Sequence, residues 1–205
     1  MNFTEQGIAG HIGTQALERL QQARIGLAGA GGLGSNCAHF LVRAGFKRFV
    51  LVDFDRVEAS NLNRQFFFPD QIGQPKVAAL AANLLRINPN LELDLFETRI
   101  TGRNVHELFA RCTAVAECVD DPGAKKLLAE SMVPVKELFV AASGVAGYGD
   151  PDRIRTRMVR PGFLLVGDET STCCLTNLPQ APIVALAAAR QADAILTWHL
   201  TPTPS

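Results

Sequence analysis

The chain has 205 residues, enough for one domain, or one domain with an appendage, and for a substantial buried core. Its 20 basic and 20 acidic residues cancel, so the composition carries no charge signature of binding to nucleic acid or to a membrane surface. The amino terminus lacks the basic start and apolar run of a signal peptide, and no apolar segment reaches the roughly 18 residues that span a bilayer. We therefore expect a cytoplasmic globular protein.

The first elements predicted along the chain form a β-turn-α-β unit. A helix is predicted over 14–23, and the short apolar run 25–30 is typical of a strand buried on both faces. Small and apolar residues then recur at helical spacing over 35–44, and 49–52 predicts a second buried strand. A glycine-rich turn lies between the first strand and the helix.

This turn is suited to bind a phosphate group. Glycine lets the backbone tighten and approach a ligand closely, and a helix amino terminus offers unpaired N–H groups to an anion. Asp53 follows the second strand at a position from which an acid can hydrogen-bond a ribose hydroxyl. These features predict a nucleotide site, although the glycines alone do not separate a dinucleotide from ATP, and a turn that merely packs is the alternative. The glycines are Gly29, Gly31, Gly32 and Gly34.

Helices and strands continue to alternate along the chain. The polar segment 54–76 is too long for an ordinary connection, so we expect it to be functional or to carry short structure of its own. Beyond it, a helix is predicted from Pro75, a half-exposed strand over 91–96, a short helix over 103–111, a strand over 114–119, a helix over 124–133 and a strand over 138–142.

The pattern changes in the last quarter of the chain. Segments 154–158 and 163–166, separated by a turn, predict a hairpin, and a polar loop at 167–180 leads to a long helix over 181–200 and a frayed tail at 201–205. We therefore predict an α/β, Rossmann-like fold: a mostly parallel sheet with helices on both faces and an antiparallel C-terminal extension.

Four polar residues on predicted loops favour one class of nucleotide chemistry. Asn61, Arg64, Lys76 and Asp120 lie where they can converge beside the glycine turn, and such a set suits a nucleoside triphosphate with Mg²⁺. A dehydrogenase needs little beyond the first unit to hold its cofactor. The alternatives are a surface arginine for Arg64, a solvated first-turn lysine for Lys76, and a cap of the following helix for Asp120.

Several longer segments stand out beside the acid at Asp120: GAGGLGSN, LVDFDRVEASNLNRQFFF, IGQPKV and RINPN. They resemble the ThiF/MoeB/HesA family, the adenylating enzymes of ubiquitin-like sulfur-carrier proteins. This family is related to the adenylation domains of ubiquitin-activating enzymes. The resemblance runs from about residue 13 to residue 200. It implies a single ThiF-type adenylation domain over 1–205, with a nucleotide-binding core at about 24–142 and the extension and C-terminal helix at about 143–200.

The resemblance implies a reaction as well as a fold. The C-terminal glycine carboxylate of a carrier protein attacks the α-phosphate of ATP, which gives an acyl-adenylate and pyrophosphate. The carboxylate is already ionised at neutral pH, so no general base is required. By family likeness Asp53 holds the ribose, Asn61 and Arg64 contact the phosphates, Lys76 stabilises the transition state, and Asp120 binds Mg²⁺. The full nucleotide-binding set is Gly29, Gly31, Gly32, Gly34, Asp53, Asp55, Asn61, Arg64, Lys76 and Asp120.

The family likeness also implies a homodimer. Within the family, this chain resembles the short ThiF-like proteins of thiamine biosynthesis, whose carrier resembles ThiS and ends in Gly-Gly.

Many family members bind structural zinc through two CxxC pairs. Here Cys173 and Cys174 are adjacent and no second pair follows, so we expect no zinc. Both lie in the loop where some relatives place a cysteine that links covalently to the carrier; the alternative is that they are small residues that pack.

Other residues depart from the family pattern or have simpler explanations. The short amino terminus has no RQ motif, and Asp121 stands where the family usually has asparagine. We expect Cys37, Cys112 and Cys118 in the core. The run 66–68, three phenylalanines, either fills apolar space or forms a dimer contact, and it is a candidate for an interface because it follows the site loop.

Three other functions remain open on the sequence. They are a non-catalytic module that docks a ubiquitin-like protein, a tRNA-modifying dehydratase of the ThiF type, and an NAD-dependent oxidoreductase. The neutral composition gives no support to an RNA substrate, and Arg64 and Lys76 argue against the oxidoreductase.

Overall fold

A computed structural model describes residues 1–201, and the predicted tail lies outside them except for its first residue. Seven strands form one sheet in the order β3-β2-β1-β4-β5-β7-β6. All neighbouring strands pair in parallel except β6 and β7, which pair antiparallel, as the predicted C-terminal hairpin requires. The strands are β1 Arg24–Ala28, β2 Arg48–Val52, β3 Glu92–Phe96, β4 Ala114–Glu117, β5 Leu138–Ala142, β6 Arg155–Arg160 and β7 Phe163–Gly167.

Seven helices belong to the described part of the chain, and they cover both faces of the sheet. Alternate residues of a strand point to opposite faces, so in β1 Leu27 belongs to one apolar cluster and Ala28 to the other. The predicted Rossmann-like arrangement is confirmed. The helices are α1 Phe3–Ile12, α2 Thr14–Gln22, α3 Gly32–Ala44, α4 Lys76–Leu85, α5 Val105–Leu108, α6 Pro122–Met132 and α7 Ala181–Leu200.

Two helices differ from the sequence prediction. Helix α1 was not predicted; Asn2 caps it, accepting a hydrogen bond from the Glu5 N–H at 2.9 Å, and the Asn2 side chain also donates to Asn88 at 2.7 Å. Helix α5 has 4 residues, fewer than predicted. The long segment after β2 carries two short 3₁₀ turns, at Ala59–Asn61 and Pro69–Gln71, so the expectation of local structure there is confirmed.

The structure shows whether the cysteines that we expected in the core, and the phenylalanines at 66–68, are buried. Cys37, Cys112 and Cys118 are buried as expected. Of the three consecutive phenylalanines, Phe67 is only 5% exposed and belongs to the core, so its prediction as an interface residue is wrong, whereas Phe68 is 41% exposed. Within residues 1–201, no helix is both long and apolar enough to cross a bilayer.

The strand order places several loops at one edge of the sheet. β1 lies between β2 and β4, all three are parallel, and the chain reverses its direction of travel across the sheet at β1. The segments that follow these strands therefore meet at the carboxyl edge, where open α/β sheets bind ligands. They begin at Gly29, Asp53 and Cys118.

Gly34 is required by packing between the turn and helix α3. A Cβ at Gly34 would lie 1.9 Å from the carbonyl oxygen of Gly29, which leaves no room for any side chain. We expect Gly34→Ala to lower the free energy of unfolding by about 1–3 kcal/mol or more, as overpacking of a close contact does. Urea denaturation measures this change.

Gly7 is the matched control because it lies in helix α1 and a Cβ there would meet no atom within 4 Å. Gly7→Ala should stabilise the protein by roughly 0.5–1 kcal/mol, since alanine restricts the unfolded chain more than glycine. Equal effects of the two substitutions would contradict the packing role of Gly34.

Candidate functional site

A cavity of about 560 Å³ opens at the carboxyl edge of β1, β2 and β4. Its wall brings together residues from the turn after β1, the segment after β2, the start of α4, the loop after β4 and the loop before α7. This volume suits a small-molecule ligand. The predicted residues that line it are Gly29, Gly31, Gly32, Asp53, Asp55, Arg64, Lys76, Asp120 and Cys173.

The glycine turn gives the cavity its floor. Gly29 has a φ of +104°, and a Cβ there would lie 2.7 Å from the carbonyl oxygen of Cys118. A Cβ at Gly31 would instead meet only the Gln65 Nε2 atom, at 3.8 Å, so this position faces open space. Helix α3 starts directly after Gly31 with no side-chain cap. Its amino-terminal N–H groups are therefore available to an anion.

Asp53 ties the glycine turn to the segment after β2. One carboxylate oxygen accepts the Ala30 N–H at 2.6 Å, and the other accepts the Asp55 N–H at 2.8 Å. Burial raises the pKa of Asp53, whereas these two hydrogen bonds and the charge of Lys76 act in the opposite direction. Because each carboxylate oxygen has a second lone pair, Asp53 can accept a further hydrogen bond from a ligand hydroxyl.

Lys76 is a buried cation at the start of α4. Its side chain is 8% exposed, and Nζ lies 2.8 Å from the Asp55 carboxylate, whose side chain is 47% exposed. The Lys76 N–H also donates to the Asp55 carbonyl oxygen at 2.9 Å. The alternative of a solvated first-turn lysine is wrong, because the ammonium group is held inside the wall by a carboxylate at its rim.

Arg64 is half-buried and brings a positive charge to the same wall. One terminal nitrogen donates to the Ser60 carbonyl oxygen at 3.0 Å and to the Asn63 side-chain oxygen at 2.8 Å. Among residues 1–201 no carboxylate pairs with it. The positive charge of the guanidinium is therefore available to an anionic ligand.

The two aspartates after β4 have separate roles. Asp121 is the cap of helix α6, since its carboxylate accepts the Ala124 N–H at 2.7 Å. Asp120 is exposed, lines the cavity, and has neither a hydrogen bond nor an ion pair to any of the residues that the structure describes. The alternative that Asp120 caps the helix is therefore wrong, and its carboxylate is free for a ligand or a cation.

Three of the predicted residues do not line the cavity. Asn61 is 8% exposed, and its side-chain oxygen accepts the Glu58 N–H at 3.0 Å, which holds the 3₁₀ turn. Gly34 is buried in helix α3 against the turn. Cys174 is exposed but stands outside the wall, where its Sγ atom contacts the Thr176 hydroxyl at 3.3 Å. These positions support the wall or its surroundings.

The apolar end of the cavity was missed from the sequence. The guanidinium carbon of Arg99 lies 3.7 Å from the centre of the Phe54 ring, a cation–π contact, and Ile100 and Leu127 line the same cavity. Arg99 and Ile100 follow β3, whose carboxyl end meets the same edge of the sheet as those of β1 and β2. That rule for parallel strands, applied to every strand end, would have found them.

Comparisons with known proteins identify the family and the fold. A family model described as ThiF family matches residues 4–200. The ubiquitin-like modifier-activating enzyme 5 of Drosophila erecta is 44% identical over 84 residues, 41% of this chain and 21% of that protein. The sulfur carrier protein ThiS adenylyltransferase of Escherichia coli (strain K12) is 30% identical over 150 residues, 73% of this chain and 59% of that protein. The matches thus span less than two thirds of either relative.

A solved structure has the same fold over almost its whole length. The tRNA N6-threonylcarbamoyladenosine dehydratase of E. coli, in complex with ATP, superposes with a TM-score of 0.87. The superposition covers 95% of this chain and 93% of that chain at 22% sequence identity. This likeness extends to the fold alone.

The separate roles of the two aspartates can be tested by stability. Asp121→Ala removes a helix cap and should lower the free energy of unfolding by about 1 kcal/mol. Asp120→Ala removes an exposed, unpaired carboxylate and should change it by less than about 0.5 kcal/mol. Urea denaturation measures the free energy of unfolding of both variants. A larger loss of stability in Asp120→Ala than in Asp121→Ala would contradict the assignment of Asp121 as the helix cap.

The cysteines should differ in their reactivity toward an alkylating agent. The hydrogen bonds from Thr176 lower the pKa of Cys174, whereas burial raises the pKa of Cys37 to about 12. Since the thiolate is the reactive form, alkylation of Cys174 should reach its half-maximal rate at a pH below that of an ordinary thiol. Mass spectrometry of alkylated Cys173→Ser protein measures this rate.

The hydrogen bond can be removed without touching the thiol. Thr176→Val should move the pH midpoint of Cys174 alkylation upward, and the three buried cysteines should react only after unfolding. The backbone N–H of residue 176 is kept in this variant, so an unchanged midpoint in Thr176→Val would exclude the Thr176 hydroxyl as a cause.

Proposed function

Because this chain belongs to the ThiF family, we propose that it is an adenylyltransferase that uses ATP to activate a carboxylate. The substrate that we propose is the C-terminal glycine of a ubiquitin-like sulfur-carrier protein similar to ThiS, in thiamine biosynthesis. The similarity to a ThiS adenylyltransferase supports this choice. The observation that carries the proposal is that Arg64, Lys76 and Asp120, far apart along the chain, line one cavity above the glycine turn.

The wall of the cavity has a different chemistry at each end, which suits ATP. The glycine turn and the start of α3 offer N–H groups for the phosphates. Asp53 lies between the turn and the segment after β2 and would accept a hydrogen bond from the ribose. Phe54, Arg99 and Leu127 form a mostly apolar end for the base, where Arg99 already stacks on the Phe54 ring. We assign the nucleotide to the cavity in this orientation.

The residues fit the electrostatic needs of this reaction. The attacking carboxylate and the triphosphate are both anions, so their approach must be balanced by positive charge. Arg64 lacks an acidic partner among the described residues and would contact the phosphates. Lys76 is buried and pre-positioned by Asp55, so its ammonium group would stabilise the charge that develops in the transition state without first losing solvent.

Asp120 fits a magnesium ion. It presents a free carboxylate to the cavity, and no group of three or more His, Cys, Asp or Glu residues capable of holding a metal occurs within residues 1–201. Mg²⁺ bound with a nucleotide commonly uses only one or two protein carboxylates, with phosphates and waters as its other ligands. When bound, the ion would neutralise phosphate charge and help to orient the leaving pyrophosphate.

Cys173 is the better candidate for a covalent link to the carrier. It lines the cavity wall, whereas Cys174 stands outside it. A thiol at the wall could receive the carrier's activated carboxyl group: the sulfur forms a thioester bond as the bond to AMP breaks, and the thiol proton is released to water.

We also propose the homodimer that the family likeness implies, with exposed Phe68 and Ile72 as candidate contacts.

The proposal is tested by ATP–pyrophosphate exchange with a purified ThiS-like carrier. Lys76→Ala and Asp120→Ala should each lower the exchange rate by about 100-fold or more, as loss of one transition-state charge contact does. Lys126→Ala is the matched control, because Lys126 is 76% exposed on helix α6 and its one ionic partner in the described part of the chain is Glu130, at 3.8 Å. It should retain the wild-type rate.

Intact-mass analysis of the carrier supplies the second measurement. An added AMP group on the carrier, lost when its terminal glycine is removed, is the expected result. Wild-type exchange in both site variants would overturn the residue assignments. Activity that requires tRNA, with no adduct on any carrier, would overturn the proposed substrate.

A further inference from the structure

Glu117 is a buried carboxylate next to the site, and the proposed reaction does not use it. It is the last residue of β4 and is 1% exposed. Lys125, on helix α6, donates from Nζ to both of its carboxylate oxygens, at 2.9 and 3.0 Å. The Lys125 side chain is 30% exposed, so it reaches in from the surface to pair with a carboxylate that would otherwise be buried without a partner.

The pair connects three elements at the carboxyl edge of the sheet. Lys125 also donates to the Ala142 carbonyl oxygen at 2.9 Å, and the Ala142 N–H donates to Glu117 at 3.3 Å. From the other side, the Gln191 side chain of helix α7 donates to the Glu117 carbonyl oxygen at 2.9 Å. The end of β4 is thus held to β5, α6 and α7.

The same carboxylate fixes the start of the loop that carries Asp120. Glu117 accepts the Val119 N–H at 2.9 Å, and Val119 directly precedes Asp120. On the far side of Asp120, the Asp121 carboxylate accepts the Ala124 N–H at 2.7 Å. Asp120 therefore stands between two anchored backbone positions, while its own side chain is unpaired within the described chain. These backbone anchors therefore set the region that the Asp120 carboxylate can reach.

We propose that Glu117 and Lys125 are positioning residues that direct the Asp120 carboxylate into the cavity and so set how strongly Mg²⁺ strengthens ATP binding. This inference rests on the proposed function, because it takes ATP and Mg²⁺ as the ligands. Residues that orient a metal ligand typically change metal affinity by 10–100-fold when they are replaced. A pair that only stabilised the fold would not act through Asp120.

The experiment measures ATP affinity by calorimetric titration, with Mg²⁺ and with EDTA. The test variant is Glu117→Gln/Lys125→Met, which removes both charges together and leaves no unpaired ion in the interior. In EDTA it should bind ATP with the affinity of the wild type. The factor by which Mg²⁺ raises the ATP affinity should be smaller than in the wild type by roughly tenfold or more. Lys125→Arg keeps the charge and the donors, and should retain most of that gain.

Coupling to Asp120 separates positioning from a general structural effect. In Asp120→Ala the Mg²⁺-dependent gain should already be absent, so adding Glu117→Gln/Lys125→Met should cause no further loss. Lys126→Met, on the exposed side of the same helix, is the control and should match the wild type.

Each other result counts against a named part of the inference. Equal weakening of ATP binding with and without Mg²⁺, or additive effects with Asp120→Ala, would overturn the positioning role alone. If the paired variant does not fold, a loss of the Mg²⁺-dependent gain in Lys125→Arg as large as that in Asp120→Ala would overturn it as well. A wild-type protein that binds no ATP under either condition would overturn the proposed function, and this inference with it.

Discussion

The arrangement of the cavity depends on the Asp53 carboxylate. It accepts one N–H from Ala30 in the glycine turn and another from Asp55 in the next segment, so a single side chain connects the two. Burial disfavours the ionised form and raises its pKa, and the two hydrogen bonds oppose that effect. Because Asp55 in turn pairs with Lys76, the same interaction places the buried cation relative to the phosphate-binding turn. Without Asp53, the floor and this wall of the cavity would lose the hydrogen bond that joins them beside the phosphate-binding turn.

The charges around the cavity divide into those that hold the fold and those that are free. Asp55 pairs with Lys76, Asp121 caps helix α6, and Glu117 pairs with Lys125. Arg64, Arg99 and Asp120 have no ionic partner among residues 1–201, and all three line the cavity. This division explains how a chain with no net charge can suit an anionic ligand: part of the local charge is already paired or hydrogen-bonded, and two cations and one carboxylate remain for the nucleotide and its metal.

The main elements of the fold were predictable because their signals are local. Buried strands appear as short apolar runs, and the helices around them have apolar residues at helical spacing. Helix α1 was missed because its composition marks no clear apolar face; contacts distant in sequence hold it, including the hydrogen bond from the Thr4 hydroxyl to the Ile87 carbonyl oxygen at 2.8 Å. Helix α5 was overestimated because a helical pattern does not show where the chain must turn to enter the next strand.

The sequence by itself determined the order of the elements, the glycine turn, and the charged residues available for chemistry, because each of these depends on residues that are neighbours in the chain. Only the tertiary structure decided which of them share the cavity: it separated Asp120 from Asp121, moved Asn61 into the support of its own turn, and added Arg99. The physical reason is that hydrogen bonds and ion pairs form between whichever groups the sheet brings within about 3 Å. Parallel strands place the ends of distant segments side by side, so those partners are set by strand order and not by distance along the chain.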